Sequence, residues 1–424
     1  MFPGTWIVYV GFMAEQESIA VIGAGVIGSA IACALAHEGK HVVLVDRAPA
    51  GEAGASFGNA GHIATELVEP LPSPALLFGF WRQLVAFGGV LDIPLRRFPQ
   101  FLPWATRFAR AAFKRSENTG HLAPFVRPAV PALLEMLTRI GRADLIRQHG
   151  HYEMWLGGNA ARRAQRQAQA MAALGIHTRS APAELIESVR RAAKADSGAG
   201  LHFPQCAHVV DPLEVVRAFV TAAGARGASF VQRQVLALQP FSGGIRIVTD
   251  GEPLKADAAI VCAGAWSAPL LAPFGLKVPL EAARGYHVQM PGVTPLADAP
   301  LLYADANILV TPMTGRIRAT SFMEFAGADA PPDLAKPAWL RDTLRRLGYP
   351  CEDQTPAWVG PRPVLPDYLP AMGRVAAMPN LLYAFGHQHI GLTLCAMTAR
   401  AMADLIAGRA TAVPIDSFDL RRFG

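Results

Sequence analysis

Apolar positions along the chain change their period in an informative order. Ile19-Ala20-Val21-Ile22 is a continuous apolar run ending in glycine, the pattern of a short strand buried on both faces. Ser29 to His37 carries apolar residues at helical spacing, and Val42 to Val45 is a second apolar run closed by Asp46. A loop rich in Gly, Ala and Ser follows through Gly61, then a proline-punctuated linker at Leu71–Pro74. Val130–Ile140 and Ala160–Leu174 read as helices. Asp211-Pro212 is a helix start, with Val215, Val216, Phe219 and Val220 on one face and an end near Gly224. Strands are expected at Ser229–Leu238, Ile245–Thr249 and the buried run Ala258–Val261, which ends in the small residues Ala263-Gly264-Ala265. Mixed strands span Val278–Phe325. A last strand, Leu381–Phe385, leads through the loop Gly386–Gly391 into a long helix ending near Ile406. The pattern predicts an α/β protein (α+β overall): a Rossmann-like domain interrupted by a mixed-sheet domain.

Composition bounds this picture. The chain has 424 residues, half of them apolar, enough for two domains. A net charge of +6 suits anionic cofactors, anionic substrates or a membrane surface. Dispersed Arg with little aromatic interleaving argues against nucleic acid. Cys33, Cys206, Cys262, Cys351 and Cys395 form no CxxC and no metal-ligand spacing, so neither a disulfide nor a zinc site is expected and the compartment is reducing. Residues 1–16 are read as an appendage with Met13 an alternative start, since Met1–Phe12 has neither a signal peptide's basic start nor the length of a span. Phe78–Arg115 stands apart. It carries Trp81, Phe87, Phe98, Phe101, Trp104, Phe108 and Phe113 with seven Arg or Lys and one acid, Asp92. It reads either as amphipathic helices packed on the domain or as an interfacial patch for lipid or a partner.

Chemistry enters at the first turn. Gly23-Ala24-Gly25-Val26-Ile27-Gly28 is a GxGxxG pattern set between strand and helix, with Asp46 18 residues beyond its third glycine. The first glycine permits the turn, the second lets backbone approach a pyrophosphate, and the third lets helix and strand pack closely. The helix N-terminus favours phosphate, and Asp46 suits a ribose hydroxyl rather than a 2′-phosphate, which argues against NADP.

Further motifs follow in order: Ser56-x-x-Asn59-Ala60-Gly61, Ala263-Gly264-Ala265-Trp266-Ser267, Trp358-x-Gly360-x-Arg362-Pro363 with Pro366-Asp367, and Gly386-His387-x-x-x-Gly391. Together they resemble the D-amino-acid oxidase superfamily of FAD-dependent enzymes, nearest its D-amino-acid dehydrogenase and D-hydroxyproline dehydrogenase branch, from about Ser18 onward. Asp46 stands where that family usually has Glu. The resemblance implies FAD contacts at Gly23, Gly25, Val26, Ile27, Gly28, Asp46 and Arg47, at Ser56, Asn59, Ala60 and Gly61, and at Val235, Ala263, Gly264 and Trp266. It adds Gly360, Arg362, Gly386, His387, Gly391, Leu392 and Thr393, with the helix after Gly391 pointing its N-terminus at the flavin. It implies oxidation of a Cα–N bond in a small D-amino or cyclic imino acid, with hydride transfer to flavin N5. Arg362 is the expected carboxylate anchor, its fork matching the anion. His389 is a pocket residue, and Tyr286 and Tyr303 are hydroxyl candidates against the alternative of core tyrosines. The implied domains are 17–75, 205–277 and 355–424 for FAD, with 76–204 and 278–354 as the substrate cap. Alternatives are a flavin-binding subunit of a larger dehydrogenase, or an oxidase of N-methylglycine-type amines. The electron acceptor expected on this resemblance is a quinone or partner subunit, and the expected location is the cytoplasm or the inner face of its membrane.

Overall fold

A computed structural model describes residues 17–85 and 89–424. The reading of an N-terminal appendage, and Phe87, lie outside the described residues. The opening unit is strand β1 (Ser18–Ile22), helix α1 (Val26–His37) and strand β2 (His41–Asp46). Its two strands belong to a six-stranded sheet in the order Ser229–Gln232, β2, β1, Ala258–Val261, Met378–Phe385, Ala371–Val375. The first five strands are parallel and the last is antiparallel. Both faces are covered, which is why these strands read as unbroken apolar runs. Ile19, Val21, Ala258 and Ile260 point into a core beneath helices, while Ala20, Ile22, Ala259 and Val261 point into a second core. That second core is closed by a three-stranded antiparallel sheet, Val235–Phe241, Gly244–Thr249 and Leu254–Ala256.

The helix Gly391–Ile406 is apolar on almost all sides and lies between α1 and the helix Ala129–Arg139. Residues of Arg115–Val126 and Ala129–Arg139, assigned from sequence to the cap, therefore join the cofactor-domain core through Leu122, Phe125, Val126, Leu133 and Leu137. Ser229–Leu238 also divides. Arg233 and Gln234 turn the chain, Ser229–Gln232 stays in the parallel sheet, and Val235 onward enters the small antiparallel one.

A nine-stranded mixed sheet forms the second layer. Its order is Ala357–Val364, Glu281–Pro291, Arg316–Glu324, Ile308–Met313, Leu301–Tyr303, His151–Leu156, Gly198–Phe203, Arg179–Ser180, with Leu91–Asp92 beside Arg316–Glu324. The strand Ala357–Val364 was expected in the cofactor domain. It pairs instead with Glu281–Pro291, setting Ala283, Gly285 and His287 opposite Arg362, Gly360 and Trp358.

The two layers meet at the Ser56–Gly61 loop. Arg318 donates to the carbonyls of Phe57 and Asn59, and His287 Nδ1 lies 3.2 Å from the Gly58 carbonyl. Trp358 stacks on His287 with ring centroids 5.0 Å apart. A side chain at Gly58 or at Gly360 would occupy the space of the Trp358 ring.

Candidate active site

The glycine turn shows three separate needs. Gly23 has φ +108°, and a Cβ there would overlap the Cys262 carbonyl. A Cβ at Gly28 would overlap the Gly23 carbonyl, so this glycine sets helix–strand contact. Gly25 has an ordinary φ of −69°. A Cβ there would meet only Ser56 Oγ, at 3.1 Å, and would otherwise project into open space. Ser56 Oγ accepts from the Val26 N–H at 2.9 Å, satisfying one free donor of the α1 N-terminus and leaving the rest of its first turn to a ligand. Asp46 Oδ2 accepts from the Ala24 N–H at 2.7 Å and Oδ1 from the Ala48 N–H at 3.1 Å. The acid thus braces the turn, and a carboxylate's remaining lone pairs stay open to a hydroxyl.

A long cleft runs from this turn along the carboxyl ends of the parallel strands, where ligands bind in open α/β sheets. Gly23, Gly25, Val26, Ile27, Asp46, Arg47, Ser56, Asn59, Val235, Ala263, Gly264, Trp266, Gly386, His387, Gly391 and Leu392 all line it. Arg47 lies 3.9 Å above the Trp266 ring, and Trp266 Nε1 donates to Asp329 at 3.3 Å. Other expected contacts shape the wall from behind. Asn59 Oδ1 accepts from the Gly61 N–H at 2.8 Å, which fixes the loop through Ala60. Gly28 packs α1, and Gly360 faces the Trp358 ring. Thr393 Oγ1 accepts from the Ala64 N–H at 3.0 Å. Gly28, Ala60, Gly61, Gly360, Arg362 and Thr393 do not line the cleft.

At the far end the loop after Phe385 is pinned to the strand carrying Arg362. The Gln388 N–H donates to the Pro363 carbonyl at 3.0 Å, and Gly386 takes φ +75°. His387 Nε2 lies 3.0 Å from Thr398 Oγ1, and burial pushes its pKa down to about 3. Gln388 is buried at φ +51°, and its amide nitrogen has no partner. It lines both the cleft and a second cavity, of about 170 Å³, whose wall includes Glu66, Arg115, Tyr368 and His389. Sequence reasoning missed Gln388 and Tyr368. The positive φ of each (Tyr368 at +59°) leaves no mark on residues of these types.

Arg362 stands beside this junction between Pro361 and Pro363, both of which line the cleft. Its Nη1 donates to the Phe322 carbonyl at 2.8 Å, and among the described residues no carboxylate pairs with it. Gly285 on the neighbouring strand makes room for the guanidinium, which a Cβ would displace. His389 opens to the cavity. The surrounding protein and then the Arg362 charge push its pKa down to about 4. Burial raises the Tyr368 hydroxyl, whose hydrogen bond goes to Met323 Sδ at 3.5 Å.

The two tyrosines expected from sequence are elsewhere. Tyr303 bonds the Tyr349 hydroxyl at 3.0 Å inside the core of the mixed sheet. Tyr286 donates to Glu324 at 2.9 Å and accepts from the Asp333 N–H at 3.0 Å, within an ion cluster of Arg284, Glu324 and Lys336. Both hydroxyls are committed to partners, and neither residue lines the cleft or the cavity.

The cradle at Gly25, the helix N-terminus above it and the unpaired polar groups at the far end fit a long dinucleotide. Residues 18–405 match the model of the FAD dependent oxidoreductase family, DAO. A D-amino-acid oxidase of Bradyrhizobium diazoefficiens is 29% identical, covering 97% of this chain and 100% of its own length. A D-amino acid dehydrogenase of Paramagnetospirillum magneticum is 31% identical over 96% of this chain and 98% of its own. Among solved structures, glycine oxidase from Geobacillus kaustophilus superposes with a TM-score of 0.69 at 23% identity, over 96% of this chain and 99% of that one, and so shares the fold. With the glycine cradle, the ordered motifs and this match over nearly the whole length, the chain belongs to the DAO family of FAD-dependent oxidoreductases.

Proposed function

We propose that this enzyme oxidises the Cα–N bond of a small D-amino acid or cyclic imino acid, such as D-proline or D-hydroxyproline. The substrate loses two electrons and two protons to become an imine, and water hydrolyses the imine of a primary amine to a keto acid and ammonia. Bound in the cleft, FAD supplies the two-electron acceptor. The observation that carries the reading is Arg362, a cation held beside cleft and cavity with a backbone carbonyl but no carboxylate for a partner. A substrate carboxylate completes it with a charge-assisted fork and thereby fixes Cα. His389, its pKa lowered by the surrounding protein and the Arg362 charge, can accept a hydrogen bond from the amine. Tyr368 and Gln388 offer further donors, and the small cavity limits the side chain. The relatives named above for D-amino acids support the substrate class.

Stopped-flow flavin reduction tests this assignment. Arg362→Ala should lose about 2–5 kcal/mol of transition-state binding while retaining FAD, and Arg362→Lys should also suffer because a point charge lacks the fork. Near-wild-type reduction in both variants would remove Arg362 from the substrate site.

A second feature bears on where the electrons go. Phe78 and Leu95 are 84% and 90% exposed, and Phe80, Trp81, Phe98 and Leu102 are also exposed, with Arg82, Arg96 and Arg110 exposed in the same segment. The helix Phe98–Ala112 buries Phe101 and Trp104 against Phe325 and turns Phe98 and Leu102 outward. Exposed apolar side chains in a segment that also exposes cations suit the interface of an anionic bilayer. No helix among the described residues is long and apolar enough to cross a membrane. Peripheral attachment would bring the enzyme to a membrane quinone as its electron acceptor.

A further inference from the structure

Beside the Glu66 wall of the cavity, four side chains from three separated stretches converge. His62 lies on the short strand His62–Ile63, Glu66 follows it, His151 begins the strand His151–Leu156, and Cys206 precedes the strand Ala207–Val209. One ligand atom of each lies within 4.8 Å of all the others. Glu66 Oε1 is 3.7 Å from His62 Nε2 and 3.9 Å from His151 Nδ1, while Cys206 Sγ donates to Glu66 Oε2 at 2.9 Å. The two imidazoles sit 4.5 Å apart, centroid to centroid.

Hydrogen bonds within the protein leave this group incomplete. His62 Nε2 and both ring nitrogens of His151 are buried without a partner, although His151 is only 3% exposed. An imidazole has a donor and an acceptor to satisfy, and burying both unpaired is costly. The other groups facing the cluster do not remedy it. Thr65 Oγ1 lies 3.4 Å from Cys206 Sγ, the Phe203 ring packs on His151, and His208 Nδ1 is itself unpartnered.

We propose that His62, Glu66, His151 and Cys206 bind one divalent transition-metal ion, zinc, as a structural clamp between the cofactor layer and the mixed sheet. Two imidazoles, one carboxylate and one thiolate form a closed four-ligand set of zinc type, and the sulfur and nitrogens disfavour calcium or magnesium. Binding forms the Cys206 S–Zn bond as the S–H bond breaks, and the proton leaves to solvent. The cavity that Glu66 shares with His389 gives the ion a way in. The clamp would also hold Glu66 in place on the cavity wall.

The test uses untagged, flavin-loaded enzyme and does not depend on its substrate. Metal analysis by mass spectrometry should find about one zinc per chain. Zinc K-edge absorption should show one sulfur near 2.3 Å among nitrogen or oxygen neighbours near 2.0–2.2 Å, a typical zinc sphere of about these distances. After chelation, zinc chloride alone should raise Tm by roughly 3 °C in wild type, a scale set by ligand linkage in a large chain. That rise should vanish in Cys206→Ser and His151→Ala. Wild-type enzyme that holds under a tenth of an equivalent and shows no response to zinc would overturn the site. So would a sulfur-free coordination sphere. If neither variant folds, the wild-type stoichiometry and sulfur distance still decide.

Discussion

At the scale of single residues, the glycine turn separates folding from binding. Gly28 abuts the Gly23 carbonyl, so a branched side chain there disrupts the strand–helix unit itself. Gly25 has a permissive φ and an open cleft side. Gly25→Val should therefore fold with near-normal circular dichroism yet lose FAD, read as a collapsed ratio of flavin to protein absorbance. A folded Gly25→Val enzyme with a full complement of FAD would show that this backbone is not where the pyrophosphate lies. Asp46 illustrates the same distinction. Its two backbone hydrogen bonds make it part of the turn as well as a candidate ligand, so its replacement would mix both effects.

At the scale of elements, Trp358 locks the strand Ala357–Val364 to the Ser56–Gly61 loop. Its ring occupies the space left by Gly58 and Gly360 and stacks on His287. Trp358→Ala should cost about 2–3 kcal/mol in urea unfolding, less than for a wholly buried Trp because the side chain is part-exposed. Flavin should also dissociate faster from this variant. An unchanged urea midpoint would mean the loop is held by Arg318 and His287 alone. This contact also shows what sequence can and cannot disclose. The β1–α1–β2 unit was legible because its periodicity, turn and acid are local. The motif around Arg362 is legible as a motif, but the pairing of its strand with Glu281–Pro291 is a long-range choice that the local residues do not encode. Tyr286 and Tyr303 carry two readings in the sequence, substrate hydroxyl or core tyrosine, and Glu324 and Tyr349 hold the two hydroxyls as core tyrosines. Tyr368 and Gln388 line the cavity from backbone torsions that no spacing encodes.

For the whole molecule, two solution properties follow. Burial holds the pKa of His287 and His387 near 3, against about 6.5 in an unfolded chain. The unfolded state then binds more protons below about pH 6.5, so this contribution is complete above that pH and is lost on acidification. Glu153, raised to about 7 by burial, acts in the opposite sense and offsets one of the two histidines. His208 and His389, lowered to about 4, act in the same sense as those two, so the net loss is about 1.4 kcal/mol per pH unit for each histidine that Glu153 does not offset. Tm should stay level from pH 8 to 7 and fall between about 6.5 and 5, and a flat profile to pH 5 would contradict the neutral histidines. The exposed aromatic segment predicts sedimentation with anionic but not neutral vesicles, weakening with salt. Phe78→Asp with Leu95→Asp should abolish it without loss of FAD, and failure of wild type to sediment with either vesicle would remove the membrane reading. The cleft wall, finally, runs from Ile22 to Leu392. A chain emerging from the ribosome presents its glycine turn long before the strand Met378–Phe385 and the loop beyond it. The cleft is whole only once that later strand has joined the sheet, so full FAD affinity should follow the joining of Met378–Phe385 rather than the forming of the first turn, and flavin supply should act on the meeting of these two distant segments.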